Sequence, residues 1–293
     1  MMFSGCGTAI VTPFRRDGQI DEETLRALVD RQEKGGVDAI VPCGTTGESA
    51  TLGFEEHVRV IEIVADQVSR AKVIAGTGSN ATHEAVELSR AAEDIGVDYL
   101  LSITPYYNKP TRKGVLEHFR TLTGEVDTPI IVYNVPGRTG LNLSSSATVE
   151  LANMEGVVGI KEASGDMVQV MEILRDAPED FAVLSGEDVV TFPILALGGR
   201  GVISVASNLV PGLMADMVHR ALDGDLRGSG EIHYRLLRLF RHLFLETNPI
   251  PVKTALGMMG FPVGPFRLPL CEMEEENIEV LRGTLSELEL IQE

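Results

Sequence analysis

The residue best suited to covalent chemistry in this sequence is a lysine in an apolar setting. Lys161 closes the run Val157-Val158-Gly159-Ile160-Lys161, which has strand character. Of the other lysines, Lys34, Lys109 and Lys113 sit in polar contexts, and Lys72 stands just before another apolar run. Burying an ammonium is costly, so burial lowers the pKa and makes the neutral, nucleophilic amine accessible. Such an amine can condense with a ketone or aldehyde to form a Schiff base. The competing reading pairs Lys161 with Glu162 or Glu48, or lets it snorkel at the strand end. Tyr133 follows the apolar run Pro129–Val132, where it can relay protons or act as a core tyrosine with a satisfied hydroxyl. Thr45 and Thr46 lie between glycines and can offer hydroxyls and N–H groups to a carboxylate, or merely make a turn. Tyr106 and Tyr107 suit packing as well as chemistry. Arg138, in the loop Pro136-Gly137-Arg138-Thr139-Gly140, can grip a carboxylate through its two-pronged guanidinium or be an ordinary solvated arginine.

Other chemistries find little support. The six histidines are scattered, without metal-ligand spacing, and the three cysteines (Cys6, Cys43, Cys271) are far apart. No metal site and no disulfide framework is expected. Gly76-Thr77-Gly78 lacks the third glycine of a dinucleotide fingerprint, and no Walker motif exists. The formal net charge of −18 argues against nucleic acid or an anionic membrane as the main partner. It does not exclude a small anionic substrate, because one arginine can dominate a pocket. Met1–Pro13 lacks the pattern of a signal peptide, and charge-free stretches such as Gly201–Ala215 are too short to span a bilayer. The expected location is the cytoplasm.

The elements that must position these residues show a regular rhythm. Apolar, β-rich runs begin near Thr8, Ala39, Val73, Tyr99, Pro129, Val157, Ala182 and Gly201. Their starts lie roughly 20–35 residues apart, about the length of a βα unit. Continuous rather than alternating apolar runs suit parallel strands covered on both faces. Asp21 and Thr82 read as caps of two intervening helices. The pattern predicts an α/β fold, a (β/α)8 TIM barrel, with a doubly wound open sheet as the alternative. Helical segments are expected at Leu213–Leu222, Gly230–Phe244, Val252–Met259 and Glu275–Leu290. The division is a catalytic barrel over residues 1–222 and a C-terminal helical appendage over 223–293. In such a barrel the C-terminal strand ends form the active site. Here those ends carry Thr45-Thr46-Gly47-Glu48, Thr104-Pro105-Tyr106-Tyr107, Tyr133-Asn134, Lys161-Glu162 and Ser185-Gly186.

Four motifs then occur in order: GTTGES (Gly44–Ser49), TPYYN (Thr104–Asn108), YNVPGRTG (Tyr133–Gly140) and GIKEASG (Gly159–Gly165). With them the chain resembles, over nearly its whole length, the dihydrodipicolinate synthase family, within the Schiff-base lyases that include N-acetylneuraminate lyase. The resemblance implies that Lys161 condenses with pyruvate and that the resulting enamine attacks L-aspartate 4-semialdehyde, with no cofactor. It assigns proton transfer to Tyr133, Thr45 and Tyr107, the last reaching across a subunit interface. It assigns pyruvate binding to Thr46 with backbone at Gly186 and Ile203, and the second substrate's carboxylate to Arg138. Arg138 in the GRTG context favours this family over the runner-up, a pyruvate-dependent aldolase for sugar acids. A non-catalytic barrel is the reading from another class. The resemblance also implies L-lysine as an inhibitor, at Ser49, Ala50, His57, Asn80, Glu84 and Tyr106, and a homo-oligomer, dimer or tetramer. Phe54 stands where lysine-sensitive members often carry a histidine or an aromatic residue.

Overall fold

A computed structural model describes residues 2–292. Eight parallel strands close into a barrel in sequence order. They are β1 (Gly5–Ala9), β2 (Ala39–Val41), β3 (Lys72–Gly76), β4 (Tyr99–Ile103), β5 (Ile130–Asn134), β6 (Val157–Glu162), β7 (Ala182–Ser185) and β8 (Gly201–Ser204). Seven begin at or within one residue of the expected start, and β1 begins three residues earlier than Thr8. Its glycines take part in the pairing through backbone: Gly5 to Thr8 align with Gly201 to Ser204 of β8, and Gly7 to Ala9 with Ala39 to Val41 of β2. A Cβ on Gly201 would lie 2.0 Å from the Gly5 carbonyl oxygen, so the closing seam needs glycine.

The strands alternate between two apolar layers. Ala39, Val41, Ile74, Leu101, Ile131, Leu184 and Ile203 fill the barrel interior. Ile40, Val73, Leu100, Val132, Ile160, Val183 and Val202 face the helices, and this outer core continues without a break into Leu236, Leu239, Val252, Leu256 and Leu281. The two layers explain the continuous apolar runs, since both strand faces are dry.

Asp21 caps the helix Glu22–Lys34 by accepting from the Thr24 N–H, as expected. Thr82 is instead the first residue of its helix, and Ala81 holds the cap position. The Thr82 hydroxyl is engaged by His118 Nδ1 at 3.0 Å, so tertiary packing takes the side chain away from its own backbone. After the eighth strand the helices are Pro211–Leu222, Leu226–His242, Ile250–Met258 and Glu275–Glu287. Each lies within a few residues of its expected position.

Lys72 begins β3 at the opposite end of the barrel from the strand-end loops and pairs with Asp98 at 2.7 Å. Among the described residues, no helix is long and apolar enough to cross a membrane.

Candidate active site

Lys161 and Tyr133 are register partners on adjacent strands, β6 and β5. Parallel pairing brings the lysine Nζ to 4.3 Å from the tyrosine ring centroid. Lys161 is 6% exposed. Burial brings its pKa down from 10.5 to about 8; the buried Asp188 carboxylate opposes this and Arg138 adds to it. Neither partner weighed for Lys161 takes it. Glu162 points out of the barrel, accepting from Asn134 Nδ2, Gln169 Nε2 and the Ser164 N–H. Glu48 pairs with Lys253. Among the described residues Lys161 has no ion-pair partner within 4.0 Å, which leaves its amine to the cavity.

Burial pushes the Tyr133 hydroxyl up to about 12; Arg138 and a hydrogen bond with the Thr45 side chain pull it partly back. A neutral phenol hydrogen-bonded to a threonine hydroxyl can both donate and accept a proton. Lys161, Tyr133, Thr45, Thr46, Arg138 and Gly186 line one cavity of about 410 Å³. A Cβ on Gly186 would lie 2.6 Å from Ala163 Cβ and 3.2 Å from Lys161 Cε, so only glycine lets this backbone approach the lysine stem.

Two expected residues, Ile203 and Tyr107, are not among the residues lining this cavity. The Ile203 side chain is buried in the barrel interior, so β8 can offer a ligand only its backbone there; the neighbouring cavity wall is Val205. Tyr107 is 88% exposed with φ of 69° and lines neither cavity described here. Its N–H donates to the Thr139 carbonyl at 3.3 Å. A bulky residue held at positive φ and pointing into solvent is an uncommon arrangement.

A second cavity, of about 700 Å³, adjoins the first and shares Thr45, Arg138, Thr247 and Asn248 with it. Ser49, Ala50, His57, Glu84 and Tyr106 line it, with Phe54. Asn80 does not; its carbonyl accepts from Asn108 Nδ2. Burial lowers the pKa of His57, against the opposing bond of Nε2 to the Gly76 carbonyl at 2.6 Å. Glu84 accepts from the Ser79 hydroxyl at 2.7 Å.

Sequence reasoning passed over Asp188 and Lys253. Asp188 is buried at the start of the helix Asp188–Ala196 and accepts from the Val205 and Ala206 N–H groups. Burial raises its pKa. Lys253 is wholly buried, 2.6 Å from Glu48 Oε1, and donates also to the Pro265 carbonyl. A lysine amid Val252, Ala255 and Leu256 on a helix was the available signal. Among the described residues, no group of three or more His, Cys, Asp or Glu side chains is placed to hold a metal ion.

The Dihydrodipicolinate synthetase family model matches residues 2–288. The chain is 51% identical over 288 residues to the 4-hydroxy-tetrahydrodipicolinate synthase of Methanothrix thermoacetophila, covering 98% of this chain and 97% of that protein. Among solved structures it is similar to the Cyanidioschyzon merolae enzyme with lysine bound (TM-score 0.96, 40% identity, 99% and 100% of the two chains). It is equally similar in fold to the chloride-inhibited dihydrodipicolinate synthase from Acinetobacter baumannii complexed with pyruvate (TM-score 0.96, 41% identity, 98% and 99% of the two chains). A buried, unpaired lysine facing a tyrosine across a strand pair, together with these full-length similarities, leads to one conclusion: the chain belongs to the dihydrodipicolinate synthetase family.

Proposed function

We propose that this chain is a lyase that condenses pyruvate with L-aspartate 4-semialdehyde to give 4-hydroxy-tetrahydrodipicolinate, the first committed step of the diaminopimelate route to lysine. The observation that carries the reading is the Lys161–Tyr133 pair beside Arg138 in one cavity. Lys161 Nζ attacks the ketone carbon of pyruvate, and water leaves to give the imine. Loss of a methyl proton gives the enamine, whose carbon attacks the aldehyde; the new alkoxide takes up a proton. The substrate amine then displaces Lys161 from the imine carbon and closes the ring. Tyr133 is the proton donor and acceptor, with Thr45 and Tyr107 as its relay, and Tyr107 acts from a partner subunit. Its outward, positive-φ placement supports that role. Thr46, with backbone at Gly186 and Ile203, orients the pyruvate carboxylate, and Arg138 takes that of the semialdehyde. The covalent imine takes the place of a cofactor. In this reading the barrel of residues 1–222 carries the chemistry and residues 223–293 close the site.

L-lysine is proposed as a feedback inhibitor in the larger cavity, where Glu84 offers its ammonium a carboxylate. Phe54 and Tyr106 flank the same space. Asn80 would need to turn inward to join them.

Borohydride reduction in the presence of pyruvate tests the central claim. The expected result is a stable adduct on the peptide carrying Lys161; an unmodified Lys161 refutes it. Comparing aspartate semialdehyde with sugar-acid cleavage in a coupled assay tests the substrate. Activity unchanged by millimolar L-lysine refutes the inhibitor.

A further inference from the structure

Asn248 lies in the C-terminal segment, about two hundred positions from the loop that carries Thr45 and Thr46, yet it is buried against that loop. Its Nδ2 donates to Thr46 Oγ1 at 2.9 Å, and its main-chain carbonyl accepts from Arg138 Nη2 at 3.2 Å. It lines both cavities. Its own Oδ1 is buried and, among the described residues, has no hydrogen-bond partner. The segment is pinned from beneath. Lys253, on the helix Ile250–Met258 that follows Asn248, meets Glu48, two positions beyond Thr46.

A hydroxyl has one proton and two lone pairs. When the Asn248 amide occupies a lone pair of Thr46 Oγ1, the Thr46 proton is directed elsewhere. The cavity that Thr46 lines with Lys161 and Gly186 is where it can go. Thr46 is thereby set as a donor, which is the polarity that a carboxylate requires. The same residue's carbonyl holds one guanidinium nitrogen of Arg138 and leaves the rest of the fork for a second anion.

We propose that Asn248 is a positioning residue that presets both anion-binding groups, Thr46 for the first substrate and Arg138 for the second. This inference rests on the reaction proposed above. The side-chain contact acts on pyruvate through Thr46, whereas the carbonyl contact survives most side-chain substitutions. Asn248→Ala is therefore expected to raise the pyruvate KM about tenfold, the scale of one lost hydrogen bond to a charged system, with a smaller change in the semialdehyde KM.

The test is a double-mutant cycle of Asn248→Ala with Thr46→Val, read as the pyruvate concentration that half-saturates borohydride trapping of Lys161. The expected result is a large effect of Asn248→Ala in the wild-type background and little further effect in Thr46→Val. Equal effects in both backgrounds overturn the proposal. Asn248→Asp keeps the shape and is the second variant should alanine prevent folding. Its carboxylate accepts the Thr46 proton and repels pyruvate, so the weakened pyruvate affinity should recover as pH falls and the introduced carboxyl protonates. A defect that does not change with pH counts against the proposal. Wild-type enzyme without any pyruvate adduct refutes the reaction itself. A normal wild-type adduct with unchanged pyruvate dependence in both Asn248 variants refutes only the positioning role.

Discussion

Replacing Lys161 by methionine should stabilise the fold at neutral pH and lose that advantage as the solution becomes alkaline. In the unfolded chain the amine has its ordinary pKa of 10.5; in the folded chain burial holds it at about 8. Between these values the unfolded chain binds a proton that the folded chain does not. Stability attributable to this site therefore falls as pH drops below 10.5, and the full cost is present below 8. The gap corresponds to about 3 kcal/mol at pH 7 and about 1 kcal/mol at pH 10. The same gap sets the chemistry. About one amine in ten is neutral at pH 7, against about one in three thousand for an ordinary lysine. Denaturant unfolding of both proteins at pH 7 and pH 10, at one fixed protein concentration, gives the difference in stability and how it changes. Methionine's own packing contributes equally at both pH values and cancels in the comparison. A stability difference that is constant, or that grows toward pH 10, would falsify the assignment of Lys161 as a desolvated amine. Trapping of the pyruvate imine should in turn speed up through pH 8 and level off above it.

Three further outcomes are expected. Arg138→Ala should still form the pyruvate imine but lose turnover with the semialdehyde by about a hundredfold or more, as steady-state kinetics beside borohydride trapping will show; intact turnover removes the basis for the second substrate. Gly186→Ala forces a methyl against Ala163 and the Lys161 stem, at a cost of about 1–3 kcal/mol in a thermal or denaturant melt, and it should slow imine formation. Lys253→Met leaves the Glu48 carboxylate buried without its cation and should destabilise by about 3–5 kcal/mol, much of which the double change with Glu48→Gln should recover; a neutral single variant contradicts the buried pair.

Local pattern was enough for the barrel because each strand is apolar on both faces and each is followed by a helix of ordinary length. It singled out Lys161 and Tyr133 but left their competing readings open, since a polar group at the end of an apolar run in this architecture can point into the barrel or toward the helix layer. Alternation then decides between these two, which is why Lys161 faces the cavity and Glu162 does not. What remained illegible depended on distance along the chain. Glu48 and Lys253 are separated by 205 positions, and Thr46 and Asn248 by 202. No spacing rule links such pairs, so Glu48 stood as a partner for Lys161 when another lysine held it. Thr82 shows the same limit on a smaller scale, its hydroxyl drawn to His118 rather than to its own helix. Asn80 sits beside the larger cavity without lining it, a difference of side-chain direction that residue type alone does not encode.

The pairing of Glu48 with Lys253 has a bearing on synthesis. A ribosome delivers Tyr133 and Lys161 well before Asn248 and Lys253. Until the later residues arrive, burying the Glu48 carboxylate on the β2 loop carries the cost of a charge without its counter-ion. An amine in wet surroundings keeps its proton and its ordinary basicity. Phe244, Thr247 and Asn248 wall the cavity of Lys161, so the surroundings that lower the basicity of this amine are complete only once the C-terminal segment has been made.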